Sequence, residues 1–463
     1  MQIGFYGAAR KVTGSKHLIT MNNGRRILLD CGMFQGEGYG TYDLNARFHF
    51  NPKTIDYLIL SHAHIDHSGL IPRLVSEGFK GKIFATAATR DLCAIMLEDS
   101  AEIQEDDHRH VSKKNGRQQS GPLYTVEDVK QAMQLFEPVQ YAKPYHIDDE
   151  VELLFTDAGH ILGSAVVSLA IQEDGKTKRI CFSGDVGRYD RRILRDPQPF
   201  PQADVMILES TYGDTLHQSR DQAEYLLRQA VIETCGLKGG RLLIPAFSLG
   251  RTQDLIYILN KLDFENKIPD FEVFVDSPLA TDATEIVRKH KECFDEDTLD
   301  FMKKDSNPFG FPGLRFIQKS QDSRALNDYK KPCVIIASSG MLEAGRIRHH
   351  IIHGIEDAKN TILLTSYAEP DSLGGDLKGG KTHVEIWDRT YEVKADVIAM
   401  DGLSAHADQA ELLEFLSCQD KNQLKQIYLV HGEYEKQLVF KDKLLEQGYH
   451  DVIIPEMSNV ITL

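Results

Sequence analysis

Apolar residues fall in short runs along this chain, and the runs change character as it proceeds. Over the first fifth, "QIGFYG", "KHLITM" and "RRILLDCG" are strand-length and are broken at Gly7, at Asn22-Asn23-Gly24 and at Gly32. Such punctuation predicts β-strands joined by tight turns. "IDYLIL" (55–60) and "KIFAT" extend the series, and "LIPRLVSEG" between them reads as the start of a helix. From Arg90 to about Gln140 the pattern turns helical and highly charged. A polar stretch within it, "HRHVSKKNGRQQSG", is expected to be a mobile loop between helices. Strands resume at "VELLFTDAGH", "SAVVSLAI", "KRICFSGD" and "ADVMILES".

Near Tyr212 the texture changes. "RLLIPA", "FEVFVDS", "PCVIIASSG" and "NTILLTS" are buried-strand runs, and helical stretches separate them. Strand–helix alternation predicts a parallel α/β sheet. After about Ala395 the first texture returns, with "ADVIAMDGLSAH" and "QIYLVHGE". The expected organisation is therefore one domain inserted in another, with residues 1–211 and 395–463 forming the outer domain and 212–394 the insert. The 463 residues exceed what a single simple core accommodates.

Composition narrows the class. Apolar residues make up 41% and no run approaches the roughly 20 residues of a membrane span, so no membrane partner is expected. The first fifteen residues lack a signal-peptide core, and seven scattered cysteines contain no CxxC pair. Both features point to the reducing cytoplasm and away from a thiolate metal site. The formal charge of −16 argues against a generic nucleic-acid coat. It leaves a nuclease open, because carboxylates that hold cations reverse their local field.

The chemistry collects at strand ends. "LSHAHIDHSG" closes the run 55–60 and packs His62, His64, Asp66 and His67 into six positions. Residues two apart in extended chain project to one side, so His62 and His64 can face one metal ion. Imidazole and carboxylate together suit Zn²⁺, or less often Mn²⁺ or Fe. Asp30, His160, Asp185, Glu209, His406 and His431 each close or follow another apolar run. "GAARKVTGSK" imitates a phosphate-binding loop, but its spacing is wrong and it reads as a strand–turn–strand. The pairs "HRH" (108–110) and "HH" (349–350) read as surface or groove features rather than ligands.

With "LLDCG", "SHAHIDHSG", "DAGHILGSA", "FSGDVGR", "ESTYG", "SAHAD" and "LVHGE" in place, the chain resembles the metallo-β-lactamase superfamily. More narrowly, it is similar to the β-CASP ribonucleases, the branch of the mRNA 3′-end-processing endonuclease and bacterial ribonuclease J. The resemblance implies an αββα sandwich with an inserted β-CASP α/β domain. It also implies two zinc ions per chain, one on His62, His64 and His160 and the other on Asp66, His67 and His431, with Asp185 bridging. Two such cations clamp a phosphodiester and activate a shared hydroxide. Asp66 would also steer that hydroxide, and Asp30 would orient a ligand imidazole. His406 would stabilise the transition state or protonate the leaving oxygen, with Glu209 raising its pKa. A plainer reading makes His406 a polar residue at a helix start capped by Ser404.

Two further segments suit an anionic phosphate. Ser338, Ser339 and Gly340 of "ASSGML" are expected to end a strand and open a helix, where N–H groups and the dipole favour anions. Ser248 and Arg251 of "AFSLGRTQ" share that form, and ordinary helix capping explains either segment equally well. The function implied is a ribonuclease cutting single-stranded RNA, with endonuclease and 5′→3′ exonuclease action both open. Alternatives are a DNA nuclease, a small-molecule ester hydrolase of the same superfamily, or a non-catalytic RNA-binding subunit. His431 favours RNA over DNA, since the DNA-cleaving branch usually lacks that histidine. Relatives often dimerise, which favours a homodimer.

Overall fold

The computed structural model describes residues 1–36, 40–115, 121–217, 220–366 and 372–463. They divide into two compact units, Met1–Leu216 with His406–Leu463 and, inserted between these segments, His217–Ala405.

The first unit is an αββα sandwich. Among the described residues, one sheet runs in the order Asn459–Thr462, Gln2–Phe5, His17–Thr20, Arg26–Leu29, Tyr57–Ile59, Lys82–Ala85, Phe136–Pro138. The second runs Val452–Ile453, Gln426–Val430, Val205–Glu209, Lys176–Phe182, Ala165–Glu173, Val151–Asp157, Tyr145–His146. Alternate residues of each strand point inward, as the two-residue period requires. Ile3, Phe5, Ile27 and Leu29 of one sheet thus meet Leu153, Phe155, Val167 and Ile207 of the other in a single buried cluster. The opposite face of the second sheet is covered by the helices Gln409–Leu416 and Tyr434–Glu446 through Leu412, Phe415, Phe440 and Leu444.

Strand direction matters most for function. Arg26–Leu29 and Tyr57–Ile59 are parallel neighbours. So are Lys176–Phe182, Val205–Glu209 and Gln426–Val430. Their carboxyl ends therefore line up, and the loops that leave them carry the candidate ligands, the usual place for chemistry in sheets with parallel strands.

The second unit is a parallel sheet in the order Leu314–Phe316, Glu272–Asp276, Cys333–Ala337, Arg241–Pro245, Thr361–Leu364, Asp396–Ala399, with helices between strands. Its last strand corrects the expected organisation. Asp396–Ala399 pairs in parallel with Thr361–Leu364, so "ADVIA" belongs to the insert and not to the closing part of the outer domain. A short hairpin, His383–Ile386 with Arg389–Glu392, also went unread in the sequence.

Other expectations shift as well. The helix Ala87–Asn115 runs on through His108 and Arg109, and the rest of the expected loop, 116–120, lies outside the described residues. No Gly or Pro interrupts the sequence before Gly116, so nothing there stops a helix. His350, expected as a surface or groove feature, is buried, with Nε2 2.6 Å from Asp276 Oδ2, whereas His349 is exposed with its ring against Trp387. The helix after "LSAH" starts at Gln409 and is capped by Asp408, whose side chain accepts from Glu411 N while Glu411 accepts from Asp408 N. Ser404 is therefore not the cap.

Candidate metal centre

The turn 64–67 is shaped by its own sequence and pinned by backbone bonds. After Leu60 the chain leaves the sheet and enters a single helical turn, Ile65–Ser68, with His67 N and Ser68 N both donating to His64 O. Ser15 N donates to Asp66 O, Cys31 N to His67 O and Met33 N to Ile65 O. Gly32 is required there, since a Cβ would stand 1.6 Å from Asp66 O. The buried Lys16 ammonium ties the same loops together, donating to Gly14 O at 2.8 Å and Gly32 O at 2.6 Å.

The other donors arrive on similar terms. His160 N bonds Ser164 Oγ at 3.0 Å, and Gly159 N bonds Asp157 Oδ1 at 3.0 Å. Gly187 allows the Asp185 loop to approach the His160 loop, where Gly187 N donates to Ala158 O at 2.7 Å. Asp30 and His431 both have left-handed backbones, φ 57° and 50°. That costs of order 1 kcal/mol for a residue with a Cβ and persists only where surrounding bonds hold it. For His431 those bonds are its N–H to Ala8 O and its carbonyl accepting from Ser210 N.

These segments bring all seven expected ligands together. His62, His64, His160 and Asp185 form one group, and Asp66, His67 and His431 form another. In the first, His64 Nδ1 is 3.2 Å from both His62 Nε2 and His160 Nε2. Asp185 Oδ2 lies 3.4 Å from His62 Nε2 and 3.5 Å from His160 Nε2. The edge of a tetrahedron with zinc–nitrogen bonds of ~2.0–2.1 Å is about 3.3 Å, so the spacing suits a four-coordinate ion. In the second, Asp185 Oδ1 stands 3.2 Å from His67 Nε2, and Asp66 Oδ2 stands 3.3 Å from His431 Nε2. His67 Nε2 and Asp185 Oδ1 are buried and make no hydrogen bond. Such a buried pair is costly unless a cation, a proton or a metal ion, joins its two atoms. The donor set therefore fits metal binding, with Asp185 offering one oxygen to each group.

Outer partners fix the rings. Asp30 Oδ2 lies 2.6 Å from His67 Nδ1, and Asp30 also accepts from Ser61 N at 2.8 Å and Ser61 Oγ at 2.9 Å. Ser61 Oγ is 3.1 Å from His62 Nδ1. A carboxylate only accepts, so the Ser61 hydroxyl donates to Asp30 and its oxygen receives His62 Nδ1–H. Both Nε2 atoms then keep lone pairs for a metal. Sequence reasoning missed Ser61 as a partner of these donors, and its signal was its place immediately before His62.

Electrostatics agree with this donor set. Burial pushes His62 and His160 well below the ordinary imidazole value and His64 down to about 4, leaving these three rings neutral ligands. For His67, burial is outweighed by the Asp185, Asp66 and Asp30 carboxylates, which raise it well above that value. The same field holds positive charge at the second group. Burial would raise Asp185, but the His431, His67 and His406 charges hold it well below the carboxylate range.

Glu209 and His406 stand beside the ligands. Glu209 is fully buried and accepts from Val186 N at 2.6 Å, while His406 Nδ1 lies 3.2 Å from its Oε1. An antiparallel bridge between Gly187 and His406 sets that ring, whose centroid is 4.5 Å from the His160 ring. Burial lowers the His406 pKa, but the Glu209 and Asp185 charges prevail and raise it to about 9.

The candidate phosphate contacts all lie in the inserted unit. Ser248 Oγ and Ser338 Oγ lie 3.0 and 3.4 Å from Ser277 Oγ. Ser339 and Gly340 do not open a helix as expected. The next one is Ile347–Ile352, and Ser339 N already donates to Ala344 O, so the helix-dipole rationale does not hold there. Arg251 does start a helix, Arg251–Phe264, but it is buried and its guanidinium donates to the Leu403 carbonyl.

Comparisons with known proteins match this geometry. Residues 14–243 match the model of the metallo-beta-lactamase superfamily, 252–377 the Beta-Casp domain, and 390–455 the Zn-dependent metallo-hydrolase RNA specificity domain. A ribonuclease of Thermus thermophilus is 35% identical over 97% of this chain and 97% of its own. A transcription termination factor of Methanocaldococcus jannaschii is 30% identical over 96% of this chain and 68% of its own. An RNase J-like protein of the same archaeon is 29% identical over 94% and 93%. A solved structure, a protein of unknown function from Enterococcus faecalis V583, aligns over 100% of this chain and 99% of its own with a TM-score of 0.57 at 12% identity, a likeness of fold alone.

Proposed function

The chain belongs to the β-CASP family of the metallo-β-lactamase superfamily and is a metal-dependent hydrolase of the nuclease class, and from that premise we propose that it cuts single-stranded RNA by a two-zinc mechanism. The observation that carries this reading is Asp185, one oxygen of which faces each group of donors. Two zinc ions held there would supply Lewis acidity at the phosphodiester and a bridging hydroxide near neutral pH.

The chain's own residues do the rest. Asp30 and Ser61 hold the ligand rings in one tautomer, and Asp66 orients the nucleophile. Glu209 accepts at His406 Nδ1, so the proton His406 can give is the one on Nε2. That imidazolium stabilises charge on the phosphate or protonates the leaving oxygen. On the inserted unit, Ser248, Ser338, Ser339 and Gly340 are the candidate RNA contacts. A homodimer and a cytoplasmic location belong to the same proposal. Among the described residues no helix is long and apolar enough to cross a membrane.

The test is cleavage by zinc-loaded protein of RNA and DNA of one sequence, labelled at either end, beside Asp185→Asn. We expect RNA to be cut by the native protein alone. Loss of one shared ligand should cost at least ~4 kcal/mol of transition-state stabilisation, about a thousandfold in rate. The ladder of products separates endonuclease from exonuclease action. Two bound metals without RNA cleavage would shift the assignment to a small ester, and equal cutting of DNA would remove the RNA preference.

A further inference from the structure

We infer that Thr211 is a positioning residue that ties the ligand His431 to the Glu209–His406 pair through a carboxylate–hydroxyl–imidazole chain. The inference rests on the reading of His431 as a zinc ligand. Thr211 follows the strand Val205–Glu209, and its side chain points back at that strand's last residue. Thr211 Oγ1 lies 2.7 Å from Glu209 Oε2, 3.0 Å from His431 Nδ1 and 3.1 Å from His431 O.

A hydroxyl has one hydrogen to give, and the carboxylate oxygen is its nearest and only charged acceptor. The hydrogen goes to Glu209, which also receives Thr211 N–H. The hydroxyl oxygen is then an acceptor, and the tautomer that satisfies it has the proton on His431 Nδ1, which also lies 3.5 Å from Asp185 Oδ1. That leaves the lone pair of His431 on Nε2, the nitrogen 3.3 Å from Asp66 Oδ2. Thr211 thus selects which nitrogen His431 presents to the second group of donors. Ser61 stands in the same relation to Asp30 and His62 on the other sheet. The device occurs twice, with a different hydroxyl, carboxylate and imidazole each time.

The consequence is a physical link between two roles. His431 and His406 lie within one cluster with Asp185 and Glu209, and Glu209 meets His406 directly and His431 through Thr211. Thr211 also suits its place sterically. It is buried, and its branched side chain has few rotamers, so the hydroxyl is held toward both partners.

The experiment measures zinc retention rather than turnover. Native protein, Thr211→Val, Thr211→Ser and His431→Ala are each loaded with zinc and titrated with a chromophoric chelator. Thr211→Val keeps the shape and removes the hydroxyl. It should release one of its two zinc ions ~10–100-fold more readily, the usual effect of losing an outer partner of a metal ligand. The other zinc should be unaffected, a selectivity that general loosening of the fold would not produce. Thr211→Ser restores the hydroxyl and should restore retention. If Thr211→Val does not fold, Thr211→Ala carries the same expectation. Native-like retention in Thr211→Val beside loss of one zinc in His431→Ala would overturn this inference and spare the ligand reading. Retention of both zincs in His431→Ala would overturn both.

Discussion

Asp30 and Glu209 occupy matching places on the two sheets of the outer domain. Each is fully buried at the carboxyl end of a strand with a parallel neighbour. Each meets one imidazole directly and a second through a hydroxyl: His67 and, by Ser61, His62 for Asp30; His406 and, by Thr211, His431 for Glu209. They differ in what the direct partner does. The His67 side chain is 1% exposed and points its other nitrogen at Asp185, whereas the His406 side chain is 20% exposed and lies at the edge of the donor groups. On the proposed function, one carboxylate would prepare lone pairs for a metal and the other would keep a proton on a more exposed ring. The same local pattern would then serve metal loading on one sheet and acid chemistry on the other.

The largest effect expected from breaking this contrast is on the Glu209 side. His406→Ala should keep both zinc ions and lose ~10²–10⁴-fold in cleavage rate, the usual range for a positioned acid. Its pH profile carries the sign. The proton on His406 is present below its raised pKa of about 9 and is lost as pH rises through that value. The native rate should fall on the alkaline side, and two bound cations would draw that limb lower. The stabilisation from the Glu209–His406 pair is likewise complete below about 6.5, the ordinary imidazole value, and disappears through the same alkaline range. Glu209→Gln removes the carboxylate charge and should move the limb toward neutrality. An unchanged limb in His406→Ala would assign it to another group.

On the Asp30 side the effect should appear in metal content first. In Asp30→Asn, an amide facing His67 presents either its oxygen or its N–H₂, and the neighbouring Ser61 N–H and hydroxyl already need acceptors. The amide cannot accept all three bonds, so the His67 ring loses its fixed tautomer. Zinc affinity at the second group should drop ~10–100-fold. Loss of charged hydrogen bonds in a buried place should lower stability by about 2 kcal/mol. Equilibrium dialysis and thermal unfolding read the two effects separately. Native zinc affinity in Asp30→Asn would remove the distinction between the two carboxylates.

What was legible in the sequence follows from how local each feature is. HAHIDH could be read directly, because a strand end and one helical turn place four donors within six residues. Asp30 could be read as a strand-end carboxylate. His406 and His431 are hundreds of residues from that turn, and nothing in their surroundings distinguishes them from capping or core histidines. Their places at strand ends joined them to the candidate donors, and only the family resemblance gave them separate roles. Ser61 and Thr211 escaped because a hydroxyl beside a strand end is common, and its role depends on which atoms the fold brings within 3 Å. Residues 396–399 were placed in the wrong domain because a short apolar run does not state which strand it pairs with. The misassigned cap at Ser404 had a readable correction, since Asp408 and Glu411 form the D-x-x-E spacing of a capping box.

The smallest effect expected from breaking the contrast is that of Ser61→Ala. The change removes the hydroxyl between Asp30 and His62 and leaves the Ser61 backbone N–H, which holds Asp30 Oδ1 at 2.8 Å. Asp30 also keeps its direct bond to His67, so the carboxylate stays in place. His62 keeps its position through its buried ring, centroid 4.1 Å from that of His67, and loses only the bond that selects its tautomer. Zinc retention at the first group should therefore weaken ~10-fold, the lower bound for losing an outer partner. Retention at the second group should not change. Thr211→Val, by contrast, should act on the second group alone. Chelator titration of the double variant would show whether the two hydroxyls work independently. Losses that multiply mean two separate devices, one on each sheet. Losses that do not multiply would mean that Asp185, which faces both groups, transmits the disturbance of one to the other.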